Sequence, residues 1–112
     1  ATRKMIAELE NIQPDIVHMH NIHGHDCNLE LLFSYFRQNK TKLIWTFHDC
    51  WAFTAYCMYF DMAKCDKWKT GCHHCPEKNR YPASLLADRT KSNYLKKQRL
   101  FSNLEKLYIV NV

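Results

Sequence analysis

His48 and Asp49 follow one another directly behind a short apolar run, Leu43 to Phe47. An imidazole and a carboxylate are both costly to bury without partners. At the end of an apolar run they make sense facing a polar ligand. There the imidazole can donate to an oxygen or hold a proton near neutral pH. The competing reading is structural, with the pair capping the element that follows. A second polar cluster lies upstream in H-M-H-N-I-H-G-H, which holds His18, His20, His23 and His25. His20 and His23 leave a strand where a crevice would lie, and either can donate to a phosphate or a sugar hydroxyl. His18 reads as a hydrogen-bonded core residue and His25 as a surface one. No carboxylate–His helix spacing accompanies these four, so nothing marks them as a metal site.

Cysteines dominate the segment behind Asp49. Cys50 is followed by Cys57, Cys65, Cys72 and Cys75 in the pattern C-x7-C-x6-C-x2-C. Four thiolates can close a tetrahedral zinc site and order a loop that lacks regular backbone hydrogen bonds. Only Cys72 and Cys75 have knuckle spacing, and Cys50, His48, His73 and His74 are substitute ligands. Two disulfides are the structural alternative, and unpaired buried thiols are a third state. No secretory signal is present, which favours metal or free thiols over disulfides. A thioredoxin-like reading of C-H-H-C is disfavoured because the preceding D-K-W-K-T-G is not a strand. The chain has only Gly24 and Gly71 as glycines, so it holds no Gly-rich phosphate loop.

The elements that must position these groups read as alternating α and β. Met5, Ile6, Leu9 and Ile12 recur at helical spacing over residues 3–12, and Pro14 stops that helix. Asp15 to His20 reads as a strand with His18 and His20 on one face, ended at Gly24. Asn28 to Asn39 reads as a helix with Leu29, Leu32, Phe33 and Phe36 as its stripe. Residues 42–47 form a buried strand. That order predicts a βαβ crossover and a parallel sheet, with His48 and Asp49 at a carboxyl end where ligands bind. Residues 49–83 carry no periodicity, but their aromatics, Trp51, Phe53, Tyr56, Tyr59, Phe60 and Trp68, argue against disorder. Ser84 to Lys106 reads as a long helix with Leu86, Tyr94, Phe101 and Leu104 on one face. Arg89, Lys91, Lys96, Lys97 and Arg99 cover the rest. Leu107 to Val112 reads as a third strand.

At 112 residues, 46% apolar and 24% charged, the chain has the composition of one globular domain. It begins at Ala1 inside an expected helix and ends at Val112 inside an expected strand, so a fragment of a longer protein is expected. Residues 1–56 hold five basic and six acidic side chains, net −1, while residues 57–112 hold eleven and five, net +6. A basic half can face phosphate, nucleic acid or an anionic membrane, or be a solvated helix face. No apolar run approaches the roughly 20 residues of a membrane span.

Three segments carry a resemblance: P-D-I-V-H-M-H-N-I-H-G at 14–24, W-T-F-H-D-C-W-A-F-T at 45–54 and C-D-K-W-K-T-G-C-H-H-C-P at 65–76. Together they resemble the N-terminal half of bacterial retaining glycosyltransferases of family 4, in the branch that builds capsular, colanic-acid-type and other exopolysaccharides. The resemblance spans nearly the whole chain. It implies an α/β fold, part of a Rossmann-like parallel sheet in the acceptor-side domain of a GT-B enzyme. Residues 1–112 would be a partial domain with a Cys-rich loop insertion at about 49–83. It implies that His48 reaches the donor sugar with Asp49 beside it, and that His20, Asn21 and His23 lie in the cleft. It implies metal-independent hexose transfer from a nucleotide-sugar to a saccharide or lipid-linked acceptor, with retention. Any zinc on Cys57, Cys65, Cys72 and Cys75, which match the family's tetrad, would then be structural, with Cys50 an extra cysteine. The family's Gly-rich loop would precede Ala1 and its E-x7-E motif would follow Val112, so these residues alone should not catalyse transfer. The expected location is cytoplasmic, with peripheral contact at an anionic membrane face through the 89–99 helix. The rival expectation is a zinc-stabilised basic module that binds nucleic acid, with Trp68 and Tyr81 among its aromatics. The βαβ framework stands against it, since a small zinc module needs no such sheet.

Overall fold

A computed structural model describes residues 1–23, 27–80 and 87–112. The expectations for Gly24, His25, Tyr81 and the 84–86 helix start lie outside the described residues. The elements run α1 (Thr2–Ile12), β1 (Ile16–Met19), α2 (Leu29–Gln38), β2 (Lys42–Phe47), a 3₁₀ turn (Lys67–Lys69), α3 (Thr90–Ser102) and β3 (Leu107–Asn111). The chain divides into two compact units, residues 1–48 with 100–112, and residues 49–99.

The first unit is mixed α/β, built on a three-stranded parallel sheet in the order β1-β2-β3. Met19 pairs with Trp45, and Phe47 pairs with Asn111. This is the expected crossover pattern and is consistent with a piece of a Rossmann-like fold. β2 is central, and Trp45 and Thr46, which point to opposite faces, are both buried. α2 starts where Asn28 accepts a hydrogen bond from the Leu31 amide through Oδ1, at 3.1 Å, which satisfies one orphan donor of the first turn. Of its expected stripe, Leu32, Phe33 and Phe36 are buried, joined by Tyr35, while Leu29 is half-buried. Phe33 packs against Trp45 and Phe101, with ring centroids 5.8 and 4.9 Å away. α1 ends at Gln13 in the left-handed conformation, with its amide on the Leu9 carbonyl and Pro14 next. The expected α1 stripe is only partly covered: Ile6 and Leu9 are half-buried, but Met5 and Ile12 are exposed, as are Tyr108, Ile109 and Val110 of β3.

The second unit contains the irregular segment and most of α3. Its core is Ala55, Tyr56, Cys57, Cys72 and Cys75, with Trp68 and Tyr94 packed against it. Phe53, Phe60 and Trp68 form an aromatic triad, with centroids 4.9–6.2 Å apart. Tyr94 donates through its hydroxyl to the Trp68 carbonyl at 3.0 Å.

The last helix departs from expectation in three ways. It ends at Ser102 and not at Lys106, and the described residues 87–89 are not helical, so its described part begins at Thr90. There Asp88 Oδ1 accepts from the Thr90 amide at 3.0 Å and from the Thr90 hydroxyl, which fixes the start of the first turn. Lys97 is also not on the solvated face. It is 6% exposed, and its ammonium donates to the carbonyls of Trp51, Thr54 and Ala55 at 2.7, 3.2 and 3.2 Å. Those carbonyls belong to a turn without regular backbone pairing, so a long cationic donor replaces the missing ladder. Arg89, Lys91, Lys96 and Arg99 do remain exposed.

Candidate functional site

In the first unit the parallel pairing of β1 and β2 brings two histidines together at the carboxyl edge of the sheet. His20 follows Met19 at the end of β1, and His48 follows Phe47 at the end of β2. Their rings are hydrogen-bonded, Nδ1 of His20 to Nε2 of His48, at 2.9 Å. One nitrogen carries the proton and the other accepts it, so the pair works as one unit with a single tautomer choice. His18 extends the row, its ring centroid 4.3 Å from that of His20, and its Nε2 lies 2.8 Å from Thr46 Oγ1. The hydrogen-bonded part of the His18 expectation therefore holds, but the side chain is exposed and is not a core residue. All three rings stand on one face, as the period of two requires.

The floor of this cluster is fixed by the core. Trp45 Nε1 donates to the His20 carbonyl at 2.9 Å, which pins the end of β1 to the indole of β2. Sequence reasoning missed this role, because the tryptophan reads only as an apolar strand residue. Asn21 is exposed and His23 half-buried, both just past β1. The cluster is thus an open row of imidazole donors and acceptors at a sheet edge. Such a row can hold sugar hydroxyls or phosphate oxygens and can relay one proton.

Asp49 belongs to the second unit and is half-buried. Its Oδ1 accepts from the Trp51 amide at 2.8 Å, across the turn that also carries the Thr54 amide onto the Cys50 carbonyl at 3.1 Å. The carboxylate thus secures the start of the loop, as the capping alternative proposed, although what it begins is a turn and not a helix.

The four cysteines of the C-x7-C-x6-C-x2-C run, Cys57, Cys65, Cys72 and Cys75, line one apolar cavity with Trp68. Cys57, Cys72 and Cys75 are buried and Cys65 is half-buried. Cys57 Sγ and Cys75 Sγ approach to 3.4 Å without forming a disulfide. Burial pushes the Cys57 thiol upward, and the contact with Cys75 adds to the shift. Burial also raises Cys72, opposed by the Ala55 backbone. A protonated, metal-free thiol here is a poor nucleophile, which weighs against the redox reading of C-H-H-C. Cys50 lies outside the cavity, and burial raises its thiol too. Among the described residues, no three His, Cys, Asp or Glu are arranged around a common metal position. Burial drives the Lys97 ammonium of this unit down to about 7.

No family model matches the chain. No solved structure matches it either. Among curated proteins, WcaC of Escherichia coli (strain K12), named as a colanic acid biosynthesis glycosyl transferase, is 33% identical over 96 residues. That match covers 81% of this chain and 23% of WcaC, so the chain spans about a quarter of the length of that relative. The rival reading as a nucleic-acid module finds no support in it. Over most of its length, the chain is related to a colanic acid biosynthesis glycosyl transferase.

Proposed function

We propose that the chain is the acceptor-side part of a retaining GT-B glycosyltransferase of exopolysaccharide synthesis. The whole enzyme moves a hexose from a nucleotide-sugar to a lipid-linked or oligosaccharide acceptor. His48 donates to the transferred sugar, Asp49 orients the segment that carries it, and His20, Asn21 and His23 line the acceptor cleft. The His20–His48 pair at the carboxyl edge of a parallel sheet is the observation that carries this reading, because ligands of open α/β sheets bind at that edge. The similarity to WcaC supplies the reaction class. The transfer chemistry itself uses no metal.

The test is hexose transfer by the intact protein with His48→Ala and His48→Gln. Loss of one positioned donor to the developing charge costs about 10²–10³ in kcat. Both variants should lose activity to that extent while keeping the wild-type unfolding midpoint. Full kcat and KM in His48→Ala would sink the assignment.

The protein works in the cytoplasm against the inner membrane face. Among the described residues no helix is long and apolar enough to cross a membrane. The contact is instead peripheral, through the exposed Arg89, Lys91, Lys96 and Arg99. Basic residues near an anionic surface contribute about 1 kcal/mol each. Charge reversal at Lys91, Lys96 and Arg99 should therefore release the protein from phosphatidylserine vesicles. Unchanged co-flotation would count against the contact. Lys97 is left intact, since its ammonium holds the loop and is not available to lipid.

A further inference from the structure

The geometry points to His20 as a positioning residue: its Nδ1–H donates to Nε2 of His48, holds His48 as the Nδ1–H tautomer, and so makes Nδ1 the nitrogen with which His48 donates to the sugar. This role rests on the proposed contact of His48 with the transferred sugar. It differs from that of a side chain that only lines a cleft, because His20 acts through His48.

The bond between the two rings is set by the sheet. Met19 pairs with Trp45, so the register continued by one residue places His20 beside Thr46. His48 lies two residues beyond Thr46 and therefore on the same face. The His18–Thr46 bond runs along the same diagonal. His18 pairs with Ile44, and its Nε2 lies 2.8 Å from Oγ1 of Thr46, two residues on. Both side-chain bonds join residues 28 apart in the chain. The His20–His48 bond is thus the second rung of a diagonal that parallel pairing builds.

Three restraints fix the His20 ring. Trp45 Nε1 donates to the His20 carbonyl at 2.9 Å and holds the backbone. The His18 ring covers one side of it, with centroids 4.3 Å apart. The His48 ring meets it edge to edge: the centroids are 5.2 Å apart and the planes differ by 27°. That separation is close to the most that a nitrogen–nitrogen distance of 2.9 Å permits, so each ring points its nitrogen along the line to the other. An N–H and a lone pair that face each other in this way make a well-aligned hydrogen bond.

A neutral imidazole has one N–H and one acceptor nitrogen. Nε2 of His48 is engaged by His20, so Nδ1 is the other nitrogen with which this exposed ring can meet a ligand. With the proton on Nε2, Nδ1 of His48 would be a lone pair and would only accept from a sugar hydroxyl. A donating His48 therefore requires the bridging proton on Nδ1 of His20. His20 then keeps its own Nε2 as an acceptor. No bond is made or broken in this step, and the bridging proton stays on His20.

Two measurements on the intact protein test the assignment. Long-range proton–nitrogen correlation spectra of the histidine rings read the tautomer directly. The His48 ring is expected to show a protonated, pyrrole-type Nδ1 and a pyridine-type Nε2. A neutral His48 protonated at Nε2 would overturn the proposal whatever the activity, and this reading is made on the wild type, where no variant has to fold. The second measurement is hexose transfer by His20→Asn, His20→Gln and His20→Ala. The Asn amide nitrogen is bonded to Cγ, as Nδ1 of histidine is, whereas the Gln amide nitrogen sits one atom further out, as Nε2 does. His20→Asn still donates to His48 and should retain most of the wild-type kcat. His20→Ala and His20→Gln should lower kcat by about 10²-fold, the cost of a misplaced group at a reacting centre. Their KM should change little, since the lost interaction acts in the transition state. Rescue by glutamine and not by asparagine would overturn the proposal and show His20 meeting the ligand through Nε2. Full activity in His20→Ala beside lost activity in His48→Ala would refute the positioning role and leave the sugar contact of His48 standing. Full activity in His48→Ala would refute that contact itself.

Discussion

Replacing Trp45 by phenylalanine tests whether the core positions the histidine pair. Trp45 is 3% exposed, and its indole N–H reaches the His20 carbonyl at 2.9 Å. Its ring lies 5.8 Å from Phe33, 4.9 Å from Phe47 and 5.0 Å from Phe101. The phenyl ring retains most of those contacts but not the donor. An acceptor left unsatisfied costs about 1–3 kcal/mol. Truncation of a buried tryptophan to alanine costs about 3–5 kcal/mol, so loss of the second ring alone is worth about 1 kcal/mol. The sum is a destabilisation of about 2–4 kcal/mol. The released His20 carbonyl also loosens the His20–His48 bond, and small misplacements at a site can cost up to about 10²-fold in rate. Urea unfolding followed by far-ultraviolet circular dichroism measures the first effect, and hexose transfer by the intact protein measures the second. A change below about 0.5 kcal/mol, the range of an ordinary surface substitution, would refute the anchoring role. Lost stability with full activity would show that the anchor serves the fold alone.

The start of α3 should be sensitive to acid. Hydrogen bonds from the Thr90 hydroxyl and amide hold the Asp88 carboxyl below its ordinary value of 3.8. A carboxylate whose folded value is depressed contributes stability above its unfolded value and loses it as pH falls through the folded one. Asp88→Ala should therefore lower the urea midpoint at pH 7, with the gap from wild type closing below about pH 4. An equal gap at pH 7 and pH 3 would show that the carboxylate charge has no part in it.

Regular elements were legible because their signals are local. The α2 stripe, the β2 run and the order of elements follow from periods of 3.6 and 2, and the parallel sheet follows from that order. The same parity of β1 put His18 and His20 on one face. Burial of the elements was less legible. The α1 stripe is as regular as that of α2, yet Met5 and Ile12 are exposed, because periodicity marks a face without supplying what covers it.

Tertiary structure decided what depends on partners far along the chain. His20 and His48 are 28 residues apart, and their hydrogen bond exists only because β1 and β2 pair in one register. Lys97 reads as one more cation on a basic helix. It is buried because three carbonyls more than 40 residues upstream need a donor. The cysteine spacing marked four candidate ligands but left zinc, disulfide and free thiol all open. Only the fold gathers the four around one cavity, with Cys57 and Cys75 at 3.4 Å. Residue types and their spacing thus determined which groups could do chemistry and on which elements they ride. Which of them meet is set by long-range backbone pairing, whose energy is not written into any local stretch.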